Sequence, residues 1–156
     1  YHFLQAMKNK PWFDNTIVVL SADHGHAVNG IQNPSSSEFF KVPCLIWGKP
    51  LKESYRGTRI NKLGSQADVV RTLSYQLGGD FEQYIWSKDL LNPASPAYAL
   101  HQIARGYGLV LPQGNFTYEL LTDVLIENTL TADDFIKYSS YSRKLLSMMY
   151  ADYKQL

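Results

Sequence analysis

The sequence predicts an α/β fold that ends in a small antiparallel α+β appendage. Three observations predict it. Thr16-Ile-Val-Val-Leu20 and Val42-Pro-Cys-Leu-Ile-Trp47 are short runs, apolar on both faces, as in parallel strands covered from both sides. A capped, helix-period segment follows them from Ser65. Beyond Pro96 come short alternating segments broken by Gly and Pro, the pattern of an antiparallel meander.

The elements follow in order. Phe3, Leu4 and Met7 share one helix face, and Pro11 ends the helix. No capping residue precedes it and the chain starts at Tyr1, so the expectation is a cut helix in a piece of a longer protein. Asp14-Asn15 reads as a turn before the first strand. Residues 27–38, with Asn29-Gly30, Pro34 and Ser35 to Ser37, read as a flexible loop. The second strand tolerates Pro43 near its start, and Cys44 within it is expected to be buried and inert. Ser65 with Asp68 forms a capping box, Val69, Val70, Leu73 and Leu77 line the helix, and Gly78-Gly79 stop it. Residues 80–96 are irregular. Strands are expected near Tyr98–Ile103, Tyr107–Leu111, Phe116–Leu121 and Val124–Glu127. Thr131 and Asp134 open a last helix with Phe135, Tyr138, Leu145 and Met149 on one stripe. The expected division is residues 1–92 and residues 93–156.

Composition narrows the function classes. The 156 residues are 45% hydrophobic, 19% charged and 13% aromatic, which suits one packed domain and excludes a disordered chain. Lys and Arg total 15 against 14 Asp and Glu, so no net field draws the chain to nucleic acid. No apolar run approaches the roughly 20 residues of a membrane helix. A single cysteine excludes an internal disulfide and a thiolate zinc cluster.

Asp23-His24-Gly25-His26 is the one site-like constellation, at the C-terminal end of an apolar strand, where open α/β sheets place ligands. Asp supplies a hard oxygen and His a borderline nitrogen, so the pair suits a divalent cation. Neighbours in a strand point to opposite faces, so the chain must turn here if both are to reach one ion, and Gly25 gives that freedom. His26 is a further ligand or a hydrogen-bond donor to an anionic substrate. A hydrogen-bonded turn with no metal is the rival account of the same residues. Two or three ligands leave a metal site incomplete, so the rest must come from elsewhere. His101 reads as a sheet-face residue. Arg56, Arg59 and Lys62 read as a solvated rim, Lys41 as a residue beside the second strand, and Trp12, Trp47 and Trp86 as packing residues.

Trp12-Phe-Asp-Asn-Thr-Ile-Val-Val-Leu-Ser-Ala-Asp-His-Gly-His26 resembles the last metal-binding segment of sulfatase-type enzymes of the alkaline phosphatase superfamily. Phe40–Trp47 resembles the next strand of that fold. Gly64-Ser-Gln-Ala-Asp-Val-Val-Arg-Thr-Leu73 resembles the helix that closes the catalytic domain. Trp86-Ser-Lys-Asp-Leu-Leu91 is similar to a glycine-lysine-aspartate-leucine-leucine stretch, with Ser87 for the glycine. The branch it resembles is the lipoteichoic acid synthase-like sulfatases, which are membrane-anchored with an extracellular catalytic domain. The resemblance implies the C-terminal part of a sulfatase-like sandwich over residues 1–92, carrying the small sheet and helix as a subdomain. It implies that Asp23 and His24 hold one divalent metal, manganese or magnesium before zinc or calcium; beside them, His26 is expected to assist at the substrate. The substrate would be an anionic phosphate or sulfate ester, such as a phosphoglycerol or phosphoethanolamine lipid headgroup, at the extracytoplasmic face of the membrane. The family's nucleophile lies in an N-terminal half with a further acidic ligand, so these residues alone are expected to be inert. An exposed sheet edge would then favour a dimer. The alternative is a non-catalytic envelope domain whose basic rim at residues 52–62 binds a glycan or a protein.

Overall fold

The computed structural model describes residues 2–26, 33–80 and 82–155. Helix α1 (His2–Met7) and a 3-10 turn (Phe13–Asn15) lead to strand β1 (Ile17–Ser21). A second 3-10 turn (Ser37–Phe40) precedes β2 (Cys44–Gly48), and a third (Glu53–Tyr55) precedes α2 (Gln66–Gln76). Strands β3 (Ala99–Ile103), β4 (Gly106–Leu111), β5 (Gly114–Glu119) and β6 (Val124–Asn128) follow, and α3 (Ala132–Tyr153) ends the described chain. No helix among the described residues is long and apolar enough to cross a membrane.

β1 and β2 depart from the expected parallel arrangement. They pair antiparallel as a two-stranded ribbon, with Ile17 opposite Gly48 and Ser21 opposite Cys44. Neither face is fully covered among the described residues. Leu20, Leu45 and Trp47 on one face are 47%, 56% and 38% exposed, and Val19 on the other is 38% exposed. An apolar run records that a strand suits a dry environment, but carries no information on strand direction or on what lies over it. Cys44 shares this outcome: expected inside, it is exposed at the ribbon's end. The partial burial it keeps raises its thiol pKa, so it stays a weakly reactive thiol.

The larger sheet is the expected meander, ordered β3-β4-β5-β6 with every pair antiparallel. A bulge between Thr117 and Tyr118 shifts the β5–β6 register. The core lies between this sheet and α3. Tyr107, Leu109, Phe116 and Leu130 are buried, with Tyr98, Leu100, Tyr118, Phe135, Tyr138 and Leu146 packed around them. The Phe116 ring meets Tyr107 and Phe135 edge-on, at 5.9 Å and 5.3 Å between centroids. Full burial of each such side chain contributes roughly 1.5–3 kcal/mol. Ser142, inside this contact, bonds the Tyr138 carbonyl at 2.7 Å and the Tyr107 hydroxyl at 3.1 Å, so its burial leaves no polar group unpaired. The Thr131 hydroxyl accepts the Asp134 N–H at 3.2 Å, which caps α3 as expected.

Helix α2 starts and stops where expected. The Asp68 carboxylate accepts the Ser65 N–H at 2.7 Å, and the C-terminus closes with Gly79 N–H to the Ser74 carbonyl and Gly78 N–H to that of Tyr75. Its buried face differs from the apolar stripe: Val70 and Leu77 are exposed, and the buried residues are Asp68 and Thr72. A second segment explains this. Lys88 places its ammonium 2.6 Å from Asp68 Oδ2 and donates its backbone N–H to Oδ1 at 2.7 Å. The same ammonium lies 4.0 Å from the centre of the Tyr98 ring. The Thr72 hydroxyl donates to the Asp68 carbonyl at 2.7 Å and accepts the Leu90 N–H at 2.9 Å. The Ser65 hydroxyl bonds both the N–H and the carbonyl of Leu100, each at 3.0 Å, and Trp86 donates its indole N–H to Asp152 at 2.9 Å. Direct bonds thus join residues on either side of position 92.

Removing one partner of a buried ion pair strands the other. Asp68→Ala should therefore cost about 3–5 kcal/mol of stability in urea denaturation. Lys88→Met should cost a similar amount, and the double variant clearly less than the two added together. A loss below about 1 kcal/mol for Asp68→Ala would contradict this assignment.

Candidate functional site

β1 ends at Ser21, where its apolar run gives way to Ala22-Asp23-His24-Gly25. Gln66, the first residue of α2, donates its side-chain amide to the Ala22 carbonyl and, at 3.4 Å, to that of Asp23. The helix start thereby fixes where the strand ends. The chain then turns: Asp23 Oδ1 accepts the His24 N–H at 2.8 Å. This turn brings the two neighbouring side chains together, with Asp23 Oδ2 at 3.6 Å from His24 Nε2. Both are open to solvent, Asp23 almost fully and His24 by about half.

The other imidazole nitrogen sets the chemistry of the pair. His24 Nδ1 lies 2.6 Å from the Gly25 carbonyl oxygen. A carbonyl can only accept, so Nδ1 carries a proton there, and Nε2 is the nitrogen that stands beside the carboxylate. Metal-ligating histidines are commonly oriented in this way, by donating from the far nitrogen. The Asp23 carboxyl is held below its ordinary pKa, first by the His24 N–H and then by attraction to the His24 side chain. A carboxylate oxygen and, in the neutral imidazole, Nε2 make a donor set for a divalent cation. Two donors at metal–ligand distance from one ion sit roughly 3.0–3.5 Å apart, close to the separation here.

The far side of the histidine is fixed by the 3-10 turn at Ser37–Phe40. The His24 ring stacks on Phe39 with centroids 5.0 Å apart and planes 16° from parallel. The Gly25 N–H donates to the Phe39 carbonyl at 2.6 Å. A Cβ at position 25 would lie 2.7 Å from that oxygen, so this approach needs a glycine.

The other candidates fall elsewhere. His26 is exposed, and no group of three or more His, Cys, Asp or Glu able to hold one ion occurs among the described residues. The structure thus brings Asp23 and His24 together and does not add His26 to them. Ser35 to Ser37 were expected as a flexible loop, but the turn is tied down. The Ser37 N–H and hydroxyl both donate to Glu127 Oε2, at 2.9 Å and 3.0 Å, and Asn115 donates to the Ser37 hydroxyl at 2.9 Å. The part of the expected loop at residues 27–32 lies outside the described residues. Lys41 pairs with Glu38 at 3.5 Å. Arg56 donates to the carbonyls of Leu51 and Lys49 and pairs with Glu53, and Lys62 donates to those of Asn92 and Pro93. Much of the basic rim thus serves the chain's own backbone. Phe39 and Glu127 carry no motif that marks them in the sequence, and Gln66 stands in the Gly64–Leu73 segment with no local pattern to reveal its role.

A family model for sulfatases matches residues 2–79, half of the chain. No curated protein matches significantly. Among solved structures, the chain is similar to a protein in the alkaline phosphatase superfamily from Vibrio parahaemolyticus, with a TM-score of 0.64 and 20% identity. The match covers 86% of this chain and 35% of that one, so this chain spans about a third of that relative's length. The likeness shows the fold: a mixed α/β arrangement matching part of an alkaline phosphatase-type protein.

His101 lies beside the site's supporting turn, on the sheet face as expected. Its ring stacks on Phe40 at 4.5 Å, Nε2 is 3.3 Å from the Thr117 hydroxyl, and it packs against Gly108 so closely that a Cβ there would strike it. Burial lowers its pKa from 6.5 to about 4, against the opposing pull of Glu127. The unfolded chain therefore binds this proton more tightly than the folded one. Stability present above pH 6.5 should fall by about 2 kcal/mol as pH drops toward 4, allowing for solvent screening of the partly exposed ring. Urea midpoints across this range for the wild type and His101→Gln should show the slope shrinking in the variant, and equal slopes would refute it.

Proposed function

The chain belongs to the sulfatase family, and we propose that it supplies part of the divalent-metal centre of an enzyme that hydrolyses or transfers phosphate or sulfate esters. Enzymes of this family act on anionic esters and generally use a divalent metal. One observation carries the reading: Asp23 Oδ2 and His24 Nε2 lie 3.6 Å apart, with Nδ1 of the same ring donating its proton to the Gly25 carbonyl. Asp23 and His24 would hold the ion, manganese or magnesium before zinc or calcium. When bound, such an ion supplies Lewis-acid polarisation of an ester oxygen.

The chain's own residues have separate tasks. Asp23 brings the negative charge and is ionised without help from a metal, since its pKa is already lowered. Gly25 fixes the His24 tautomer through its carbonyl. His26, exposed on the following segment, hydrogen-bonds the ester's anionic oxygens. The nucleophile and the remaining ligands come from outside residues 1–156. This chain's span of about a third of the superfamily structure supports that division of labour. Residues 1–156 alone are then inert, because covalent catalysis requires the nucleophile. The motif at residues 12–26 and the stretch at 86–91 support a lipoteichoic acid synthase-like parent. Such a parent is membrane-anchored and takes a phosphoglycerol or phosphoethanolamine headgroup at the extracytoplasmic face.

Manganese titration followed by electron paramagnetic resonance tests the centre directly. Asp23→Ala and His24→Ala should each weaken Mn²⁺ uptake by at least about tenfold. In a longer protein carrying this segment, either change should abolish ester turnover. Normal turnover in both variants would sink the assignment.

A further inference from the structure

We infer that Glu127 is a positioning residue for the metal pair, acting from the small antiparallel sheet through Ser37 and Phe39 on His24. The inference rests on the metal-centre reading above and extends it to a residue outside the site's own segment. Glu127 stands on β6, 90 residues from Ser37 in sequence. Its Oε2 accepts both the N–H and the hydroxyl of Ser37, at 2.9 Å and 3.0 Å, and also faces the Thr117 hydroxyl at 3.4 Å. Asn115 on β5 completes the Ser37 hydroxyl at 2.9 Å. Phe40, in the same turn, stacks on His101 of β3 at 4.5 Å. One 3-10 turn is thus gripped by three strands of the sheet.

The other side of that turn is the support of His24. Phe39 offers its ring to the imidazole and its carbonyl to the Gly25 N–H. Gly25 in turn holds the His24 Nδ1 proton. Turn and histidine therefore meet at two points, a ring face and a peptide bond. Two fixed points define the ring's plane and its rotation, and hence where Nε2 points. Within the turn the Phe39 N–H bonds Ser36 and the Lys41 N–H bonds Glu38, and the doubly bonded carboxylate grip on Ser37 fixes the turn to the sheet and so sets where Phe39 stands. Charge-assisted bonds of this kind are stronger than neutral ones. Residues that orient metal-bound histidines typically change metal affinity by 10–100-fold when removed.

Two readouts test this on a labelled longer protein that carries this segment and supplies the remaining ligands. One is the nuclear Overhauser contact between the His24 and Phe39 rings, which needs no metal; the other is Mn²⁺ affinity. Glu127→Ala should lose the ring contact and bind Mn²⁺ about tenfold more weakly, with the Tyr107, Leu109 and Phe116 signals unchanged. Ser37→Ala should show a smaller loss, because its N–H still reaches Glu127, and Ser37→Thr should restore both readings. If Glu127→Ala only lowers the melting temperature while ring contact and affinity persist, the residue is merely structural and the inference falls. If wild type takes up no Mn²⁺, the metal-centre reading fails, and the ring contact alone decides whether Glu127 positions His24. Should Glu127→Ala not fold, the Ser37→Ala and Ser37→Thr pair decides by the same two readings: unchanged values in Ser37→Ala overturn the proposal.

Discussion

A carboxylate taken out of water must find a cation and enough donors, or it will not stay charged there. Asp68 meets that demand with the Lys88 ammonium, the Lys88 N–H and the Ser65 N–H. In doing so it joins the start of α2 to the irregular segment after it. Much else hangs from this point. With the helix start fixed, Gln66 reaches the end of β1, and the Ser65 hydroxyl reaches Leu100 of β3. The same Lys88 ammonium lies over Tyr98 just before β3. The exit of β1, which carries Asp23 and His24, and the first strand of the sheet are thus referenced to one buried charge.

The legible parts of the sequence were those governed by local chemistry. The caps at Ser65 and Thr131 depend on residues three positions apart, and both are found. The meander was readable because Gly, Pro and Asn punctuate segments of alternating character, and its bounds are met to within a few residues. The Asp23-His24 turn was legible for a similar reason: one backbone bond from His24 to the neighbouring carboxylate makes it. Strand direction in the ribbon and the exposure of Cys44 were not, since both depend on what lies beside or over a strand. The buried face of α2 was misread because helix periodicity weighs apolar residues. Asp68 and Thr72 are buried by partners that arrive some twenty residues later.

The support of the site was hidden for a further reason. Glu127 looks like any solvent-facing residue of an edge strand, and Ser37 like any loop serine. Their meaning is a pairing across 90 positions, which no local pattern encodes. Burial and the hydrogen bonds around Glu127 act oppositely, and the hydrogen bonds, led by the Ser37 N–H, prevail, so its pKa ends below the ordinary value. It remains an anion that must be satisfied, which makes it a strong organiser of the neutral turn beside it. The sheet that appeared in sequence as an appendage is therefore in direct contact with the walls of the candidate centre.

The half-bare ribbon also has an optical side. Trp12 and Trp47 are both partly open to water, and Phe13, next to Trp12, packs its ring against Trp47 at 5.5 Å. Trp86 is instead half-buried and tethered to Asp152. A surface that comes to lie on the Leu20, Leu45 and Trp47 face of the ribbon dries the Trp47 indole while leaving that of Trp86 as it was. The chain's ultraviolet emission would then shift to shorter wavelength, giving a label-free signal for the seating of whatever covers β1 and β2.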